Sequence, residues 1–163
     1  MMQIDEILQR IVSSNVRTAL QFWEQSRGGK EIPARSDINL IEIPSLLLGL
    51  TLVDVIDGGK DYRLRYVGRN IINNQILKVG QLQSEMPAQQ GQEIIKGRYS
   101  RVVEQRRPVF QRYVYTSIQG DKRLIEAISC PLSDDGETIN KLFCFGEDMG
   151  FASSSEKFDD TLI

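Results

Sequence analysis

Apolar residues at Ile4, Ile7, Leu8, Ile11, Val12, Val16, Ala19, Leu20 and Trp23 recur at three- and four-residue spacing, with Asp5, Glu6, Gln9, Arg10 and Arg17 between them. That period predicts one amphipathic helix of about five turns. It should stop near Ser26, because Gly28-Gly29 accept the positive φ that ends helices. A connector follows, punctuated by Pro33 and a cap at Ser36 or Asp37, and then the short apolar run Ile43-Pro44-Ser45-Leu46-Leu47-Leu48, read as one or two helical turns. Leu50 to Ile56 and Tyr62 to Val67 read as a hairpin around Asp57-Gly58-Gly59-Lys60. Helical spacing returns from Gly68 to Gln105 in pieces. Arg69 to Leu77 comes first, Gly80 and Pro87 interrupt, and a longer helix runs through Glu93, Ile94, Ile95, Tyr99, Val102 and Val103 to a stop at Pro108. Three strand-like runs close the pattern: Val109 to Ile118, Arg123 to Pro131 and Ile139 to Gly146, separated by turn signals at Gln119-Gly120-Asp121-Lys122 and Asp134-Asp135-Gly136-Glu137. The order is helix, two strands, several helices, three strands, which is an α+β domain with one antiparallel sheet.

The 163 residues suffice for one core. They divide into an N-terminal helix over 1–30, a domain over 31–150 and a tail over 151–163. The tail has little to bury and is expected to be mobile. The N-terminal stripe is another matter. Six or seven large apolar side chains at about 1.5–3 kcal/mol each represent on the order of ten kcal/mol of burial. A helix of about 20 residues is some 30 Å long, more than a small sheet is wide. Part of the stripe should therefore project and find a symmetric copy, predicting a homodimer through this helix. The alternative is that the helix covers the outer face of its own sheet.

Composition narrows the chemistry. Histidine is absent, which excludes Ser-His-Asp and Cys-His nucleophiles, His-ligated zinc and His-ligated haem. Cys130 and Cys144 lie in strand-like runs without a CxxC pair and read as packed, reduced thiols, so no metal site is expected. Twenty basic and 22 acidic residues leave a net charge of -2, against the basic balance of a nucleic-acid-binding domain. The longest apolar run, Leu46 to Leu50, falls far short of the roughly 18 residues of a membrane span, and the N-terminus lacks a secretory pattern. A cytoplasmic chain without a membrane partner is the expectation.

Several segments carry a family likeness: Phe22-Trp23 before Gly28-Gly29, Ile32-Pro33-Ala34-Arg35-Ser36-Asp37-Ile38, Leu52-Val53-Asp54-Val55, Tyr62-Arg63-Leu64-Arg65-Tyr66-Val67-Gly68, and Pro131-Leu132-Ser133 before Asp135-Gly136. In this order they resemble the PAS family, in particular a subgroup of short single-domain bacterial, mostly alphaproteobacterial, PAS proteins. The resemblance implies a five-stranded antiparallel sheet in the order 2-1-5-4-3, with helices over one face and the N-terminal helix free for the other face or a second subunit. It also implies a sensory or regulatory role exerted by contact. No cofactor is expected. The cysteine motif of flavin-linked photosensors is absent around Gly68-Arg69-Asn70-Ile71-Ile72-Asn73, and a haem-type sensor would want a histidine.

With Gly58-Gly59 as a two-residue turn, Asp54 lies opposite Arg63 and Leu52 opposite Arg65, while Val53 and Val55 face Leu64 and Tyr62. The resemblance adds Arg35, giving a structural charge cluster of Arg35, Asp54, Arg63 and Arg65. Extending the pairing through the later turns aligns Tyr113 with Ile128 and Phe143, and Tyr115 with Glu126 and Phe145. Glu126 is then either a phenol-satisfied or solvated glutamate, or a polar group inside a ligand cavity. The candidate ligand-binding residues are Tyr66, Tyr113, Tyr115, Glu126 and Phe143. The same pairing sets Cys130 opposite Lys141 and Cys144 opposite Ala127, so the sulfurs point to different faces and cannot bridge. Lys96, Arg98, Arg101, Arg106 and Arg107 read as a solvated basic end of the long helix, or else a docking patch.

Three functions fit. The first is a PAS-like module that binds a small molecule or a protein partner. The second is a pure interaction or dimerisation domain without ligand. The third is an enzyme using Asp54 or Glu126 with a tyrosine, which the arginines around Asp54 disfavour because they hold it ionised. No catalytic residue is assigned.

Overall fold

Ser13-Ser14-Asn15 splits the N-terminal segment in two. In a computed structural model that describes residues 4–74, 78–86, 92–117, 119–153 and 159–162, helix α1 covers Ile4–Arg10 and helix α2 covers Ser14–Ser26. Ser13 caps α2: its backbone is extended and its hydroxyl oxygen accepts from the Val16 N–H at 3.1 Å. The predicted single helix is therefore two short ones with a corner between them. The corner lets the stripe fold back onto one sheet. Ile7, Ile11, Val16, Ala19, Leu20, Phe22 and Trp23 are all buried within the chain, and Trp23 donates its indole N–H to the Pro131 carbonyl at 2.9 Å. The premise of the expected homodimer, a helix too long for its own domain, does not hold. Of the stripe, Val12 stands out as exposed.

Three 3-10 turns, Arg35–Asp37, Leu40–Glu42 and Pro44–Gly49, lead into strand β1, Leu50–Ile56, and its partner β2, Asp61–Val67. Helix α3, Arg69–Asn74, a 3-10 turn at Gln83–Glu85 and helix α4, Gln92–Gln105, cross one face of the sheet. Strands β3, Val109–Thr116, β4, Lys122–Leu132, and β5, Lys141–Phe151, form the meander. Leu77 and Ile118, where two predicted elements end, lie outside the described residues. The antiparallel order β2-β1-β5-β4-β3 is the predicted one. A further strand, β6, Asp159–Leu162, pairs with β3 and corrects the expectation of a wholly mobile tail. Its backbone closes the edge that β3 would otherwise present.

Two register details redirect side chains. A bulge between Leu52 and Val53 sets Leu52 opposite Tyr66 rather than Arg65, which becomes the inserted residue. On the other side of the sheet, β3 and β4 pair with Tyr113 opposite Ile125 and Arg112 opposite Glu126. The predicted pairing is thus off by three residues, and an odd slip exchanges faces.

The sheet has two buried faces. Leu50, Leu52, Phe110, Ile128, Phe143 and Phe145 pack under α1 and α2 on the outer face. Val53, Tyr62, Leu64, Leu142 and Cys144 pack with Tyr99 and Val102 of α4 on the inner face. Cys130 and Cys144 are unpaired and divided between the two cores, as the alternation predicts.

Candidate functional site

Helix α4 turns one face toward the sheet, and Ile95, Arg98, Tyr99 and Val102 share it by their three- and four-residue spacing. Between this face and the inner surface of β3, β4 and β5 lies a cavity of about 470 Å³, within the range that takes small organic molecules. Ile95 and Ile125 supply apolar wall, while Arg98, Tyr99, Tyr113 and Tyr115 supply polar atoms.

Arg98 belongs to the basic group read from sequence as a solvated helix end. It is instead buried, with 5% of its surface exposed. Its Nε donates to Ser129 Oγ and a terminal nitrogen to Gln111 Oε1, both at 2.8 Å, and its guanidinium lies 5.8 and 5.9 Å from the Tyr99 and Tyr113 ring centroids. These neighbours are neutral. Among the described residues no carboxylate pairs with Arg98. Among the described residues the Tyr115 hydroxyl, also buried, has no hydrogen-bond partner.

Burial keeps the surrounding groups uncharged. It pushes the Tyr115 phenol up to about 12, with nearby Asp148 adding to the shift, raises Tyr99 further, and pushes the Cys144 thiol up to about 11. Asp148 also lines the cavity, but Arg123 neutralises it through a two-pronged contact at 2.9–3.1 Å. At the rim, Glu147 and Asn15 line the same cavity. Asn15 donates to Glu147 at 3.1 Å, and the Ser13 hydroxyl donates to it as well.

The five candidate ligand residues divide between the faces. Tyr113 and Tyr115 line the inner cavity. Tyr66, turned outward by the bulge, donates its phenol to the Leu47 carbonyl at 2.9 Å. Phe143 packs against Phe22 on the outer face, ring centroids 6.1 Å apart. Glu126 is wholly buried on that same face and does not reach Tyr115. Its Oε1 accepts the Ser13 N–H at 2.6 Å, and its Oε2 accepts the Val12 N–H at 3.1 Å and Arg112 at 2.5 Å. This carboxylate pins the corner between α1 and α2.

The charge cluster forms in part. Asp54 bonds Arg65 and has Lys141 at 3.9 Å, whereas Arg63 turns away to the Gly80 carbonyl at 2.8 Å. Arg35 lines a surface groove with Asp54 and Arg65, and donates to the Ile38 carbonyl at 3.0 Å. The charged groups of that groove have protein partners, whereas among the described residues the inner cavity keeps a hydroxyl without one. The inner cavity is the better candidate.

No family model matches the sequence, and no curated protein matches it either. Among solved structures, VqmA bound to DPO superposes with a TM-score of 0.51 at 18% identity, over 67% of this chain and 57% of that one. The Vibrio cholerae VqmA dimer in the absence of target DNA gives the same score and identity, over 67% and 52%. The fold is PAS-like. The present chain thus matches little more than half the length of the VqmA chains. A LOV domain of a blue-light activated histidine kinase from Erythrobacter litoralis is also similar, at 18% identity and a TM-score of 0.46, over 63% of this chain and 96% of that one.

Among the described residues no helix is long and apolar enough to cross a membrane, and no group of histidine, cysteine, aspartate or glutamate side chains is arranged to hold a metal ion. The sequence reading missed Arg98 and Tyr99 as site residues. Helical phase was the available signal, since both fall between Ile95 and Val102 on the apolar side.

Proposed function

We propose that the chain is a sensory module whose input is a small molecule held in the cavity between α4 and the inner face of the sheet. The observation that carries this reading is the polar equipment of that cavity. A guanidinium and a phenol have been taken out of water there, and among the described residues the Tyr115 hydroxyl has nothing to bond. Leaving a buried hydroxyl unpaired costs about 1–3 kcal/mol, a cost that a bound molecule would cancel. Likeness to VqmA, a protein solved bound to DPO, agrees with a ligand-binding use of the fold.

The module carries no catalytic group and no flavin or haem. Glu126 is saturated by two backbone N–H groups and Arg112, and Asp54 by Arg65, which leaves neither free to accept a substrate proton. Output leaves by contact with a protein partner. Glu147 gives the route: it lines the cavity and holds Ser13 and Asn15 at the start of α2, so a ligand that displaces it shifts the N-terminal helices. Nucleic acid is not the partner of this domain, given its net charge of -2.

Native mass spectrometry of the freshly purified full chain tests the reading. A non-covalent small-molecule adduct is expected, diminished in Tyr115→Phe, with no visible absorption band after expression with ample flavin and haem. The same spectra report subunit number, and a monomer is expected because the N-terminal stripe is covered internally. An adduct-free protein that no small-molecule extract of its host protects against heat would sink the proposal.

A further inference from the structure

Arg98 is a formal positive charge in the core, and arginine does not shed its proton in proteins. Burying such a charge is costly unless it is paired, and buried arginines ordinarily face a carboxylate. Here Arg98 donates to the neutral Ser129 hydroxyl and Gln111 amide, with the Tyr113 phenol as a further hydrogen-bond partner and two tyrosine rings adding cation–π attraction. Of the acidic residues that line the cavity, Asp148 is neutralised by Arg123, and Glu147 is tied to Ser13 and Asn15. Among the described residues the cavity wall thus carries one desolvated cation without a fixed counter-charge, beside apolar wall at Ile95 and Ile125 and a hydroxyl in search of a partner.

We infer that the ligand of this cavity is a small organic monocarboxylate whose charge meets the Arg98 guanidinium and whose flat or apolar body lies between Ile95 and Ile125, with a second polar group reaching the Tyr115 hydroxyl. The inference rests on the cavity being a ligand site, as proposed above, and adds the chemical class. A neutral ligand would leave the buried cation without a counter-charge. A carboxylate supplies it and bonds Arg98 through a charge-assisted pair, roughly twice as strong as a neutral hydrogen bond. A phosphate monoester, bulkier and doubly charged, would leave one charge uncompensated.

Titration calorimetry with matched acid and amide probes on the full chain decides the matter. The probes are benzoate against benzamide, 4-hydroxybenzoate against 4-hydroxybenzamide, and hexanoate against hexanamide. At least one acid is expected to bind about tenfold or more tighter than its amide. Arg98→Gln should erase that preference and Arg98→Lys should keep part of it. Tyr115→Phe should weaken 4-hydroxybenzoate while leaving benzoate unchanged. Should Arg98→Gln fail to fold, the acid and amide pairs on the parent protein still give the answer. Amides that bind as tightly as acids, or an acid preference that survives Arg98→Gln, would overturn the anion inference and leave the ligand-site reading standing. Failure of every probe on a protein that carries a neutral adduct in native mass spectra has the same meaning. Failure of every probe together with an adduct-free protein removes both.

Discussion

Glu126→Gln keeps the shape of the side chain while removing its charge and one of its two acceptor oxygens. In the parent, Oε1 serves the Ser13 N–H and Oε2 serves the Val12 N–H and Arg112. A glutamine oxygen can satisfy one of these sides, so its amide N–H₂ must face a donor on the other. Leaving the Ser13 N–H unpaired costs about 1–3 kcal/mol. Arg112 loses the carboxylate of Glu126 as well. Its side chain is 21% exposed, so water returns part of the loss and the charge contribution falls below the 3–5 kcal/mol of a fully buried broken pair. Together about 3 kcal/mol is expected, which for a domain of this size lowers Tm by about 10 °C. Thermal and urea unfolding give the global value, and hydrogen exchange at the Val12 and Ser13 amides gives the local one. Those two amides should lose protection first, because they sit on the corner that the carboxylate holds. A double cycle with Arg112→Met isolates the charge pair, with a coupling of about 2 kcal/mol expected. Unfolding within about 2 °C of the parent, with Ser13 still protected, would refute the assignment of Glu126 as the pin of the N-terminal helices.

Two further outcomes follow from the geometry. A Cβ on Gly68 would collide with the Leu47 and Leu48 carbonyl oxygens, which are backbone atoms and cannot swing aside. Gly68→Ala should therefore cost about 2 kcal/mol or more in urea unfolding and loosen the wall that Leu48 gives the cavity, and a neutral result would mean that this turn is not held against β2. Asp135 accepts from the Thr138 and Glu137 N–H groups and from the Ser133 hydroxyl, which together hold its carboxyl down to about 2. Its folded value lies below the unfolded one. Its stabilising contribution is thus complete above roughly pH 4 and is lost as pH falls toward 2. Carbon-detected NMR titration should find that low midpoint, and an ordinary aspartate midpoint near 4 would show that the loop bonds are absent in solution.

The strands and their order were legible because turn residues and alternation bracket them closely. Val53 opposite Leu64 and Asp54 opposite Arg63 follow from the glycine turn alone. The site was less legible, for four reasons. A bulge carries no strong local signal, and the one beside Leu52 moved Tyr66 to the outer face. The β3–β4 connection spans Ser117 to Asp121, pairing Thr116 with Lys122, and the predicted turn one residue shorter and shifted toward the C-terminus misplaced Glu126. Ser13 could have been read as a helix cap, but helical period continues across it. Arg98 was hidden by a compositional habit, the reading of clustered cations as solvent-facing, where its position between Ile95 and Val102 said otherwise.

The corner at Ser13 also bears on how the chain is made. The apolar faces of α1 and α2 rest on Phe110, Ile128, Phe143 and Phe145, and the carboxylate that receives the corner is 113 residues downstream of Ser13. During synthesis the end of α2 at Ser26 leaves the ribosome about 84 to 119 residues ahead of these four side chains, although Leu50 and Leu52 of β1 follow much sooner. At roughly 5–20 residues per second that interval is on the order of ten seconds. For that time an amphipathic pair waits for the strands that complete its sheet, a ready substrate for chaperones that hold apolar segments. Docking of the corner onto Glu126 then closes a loop of 113 residues, so final assembly belongs among the slower, non-local folding reactions.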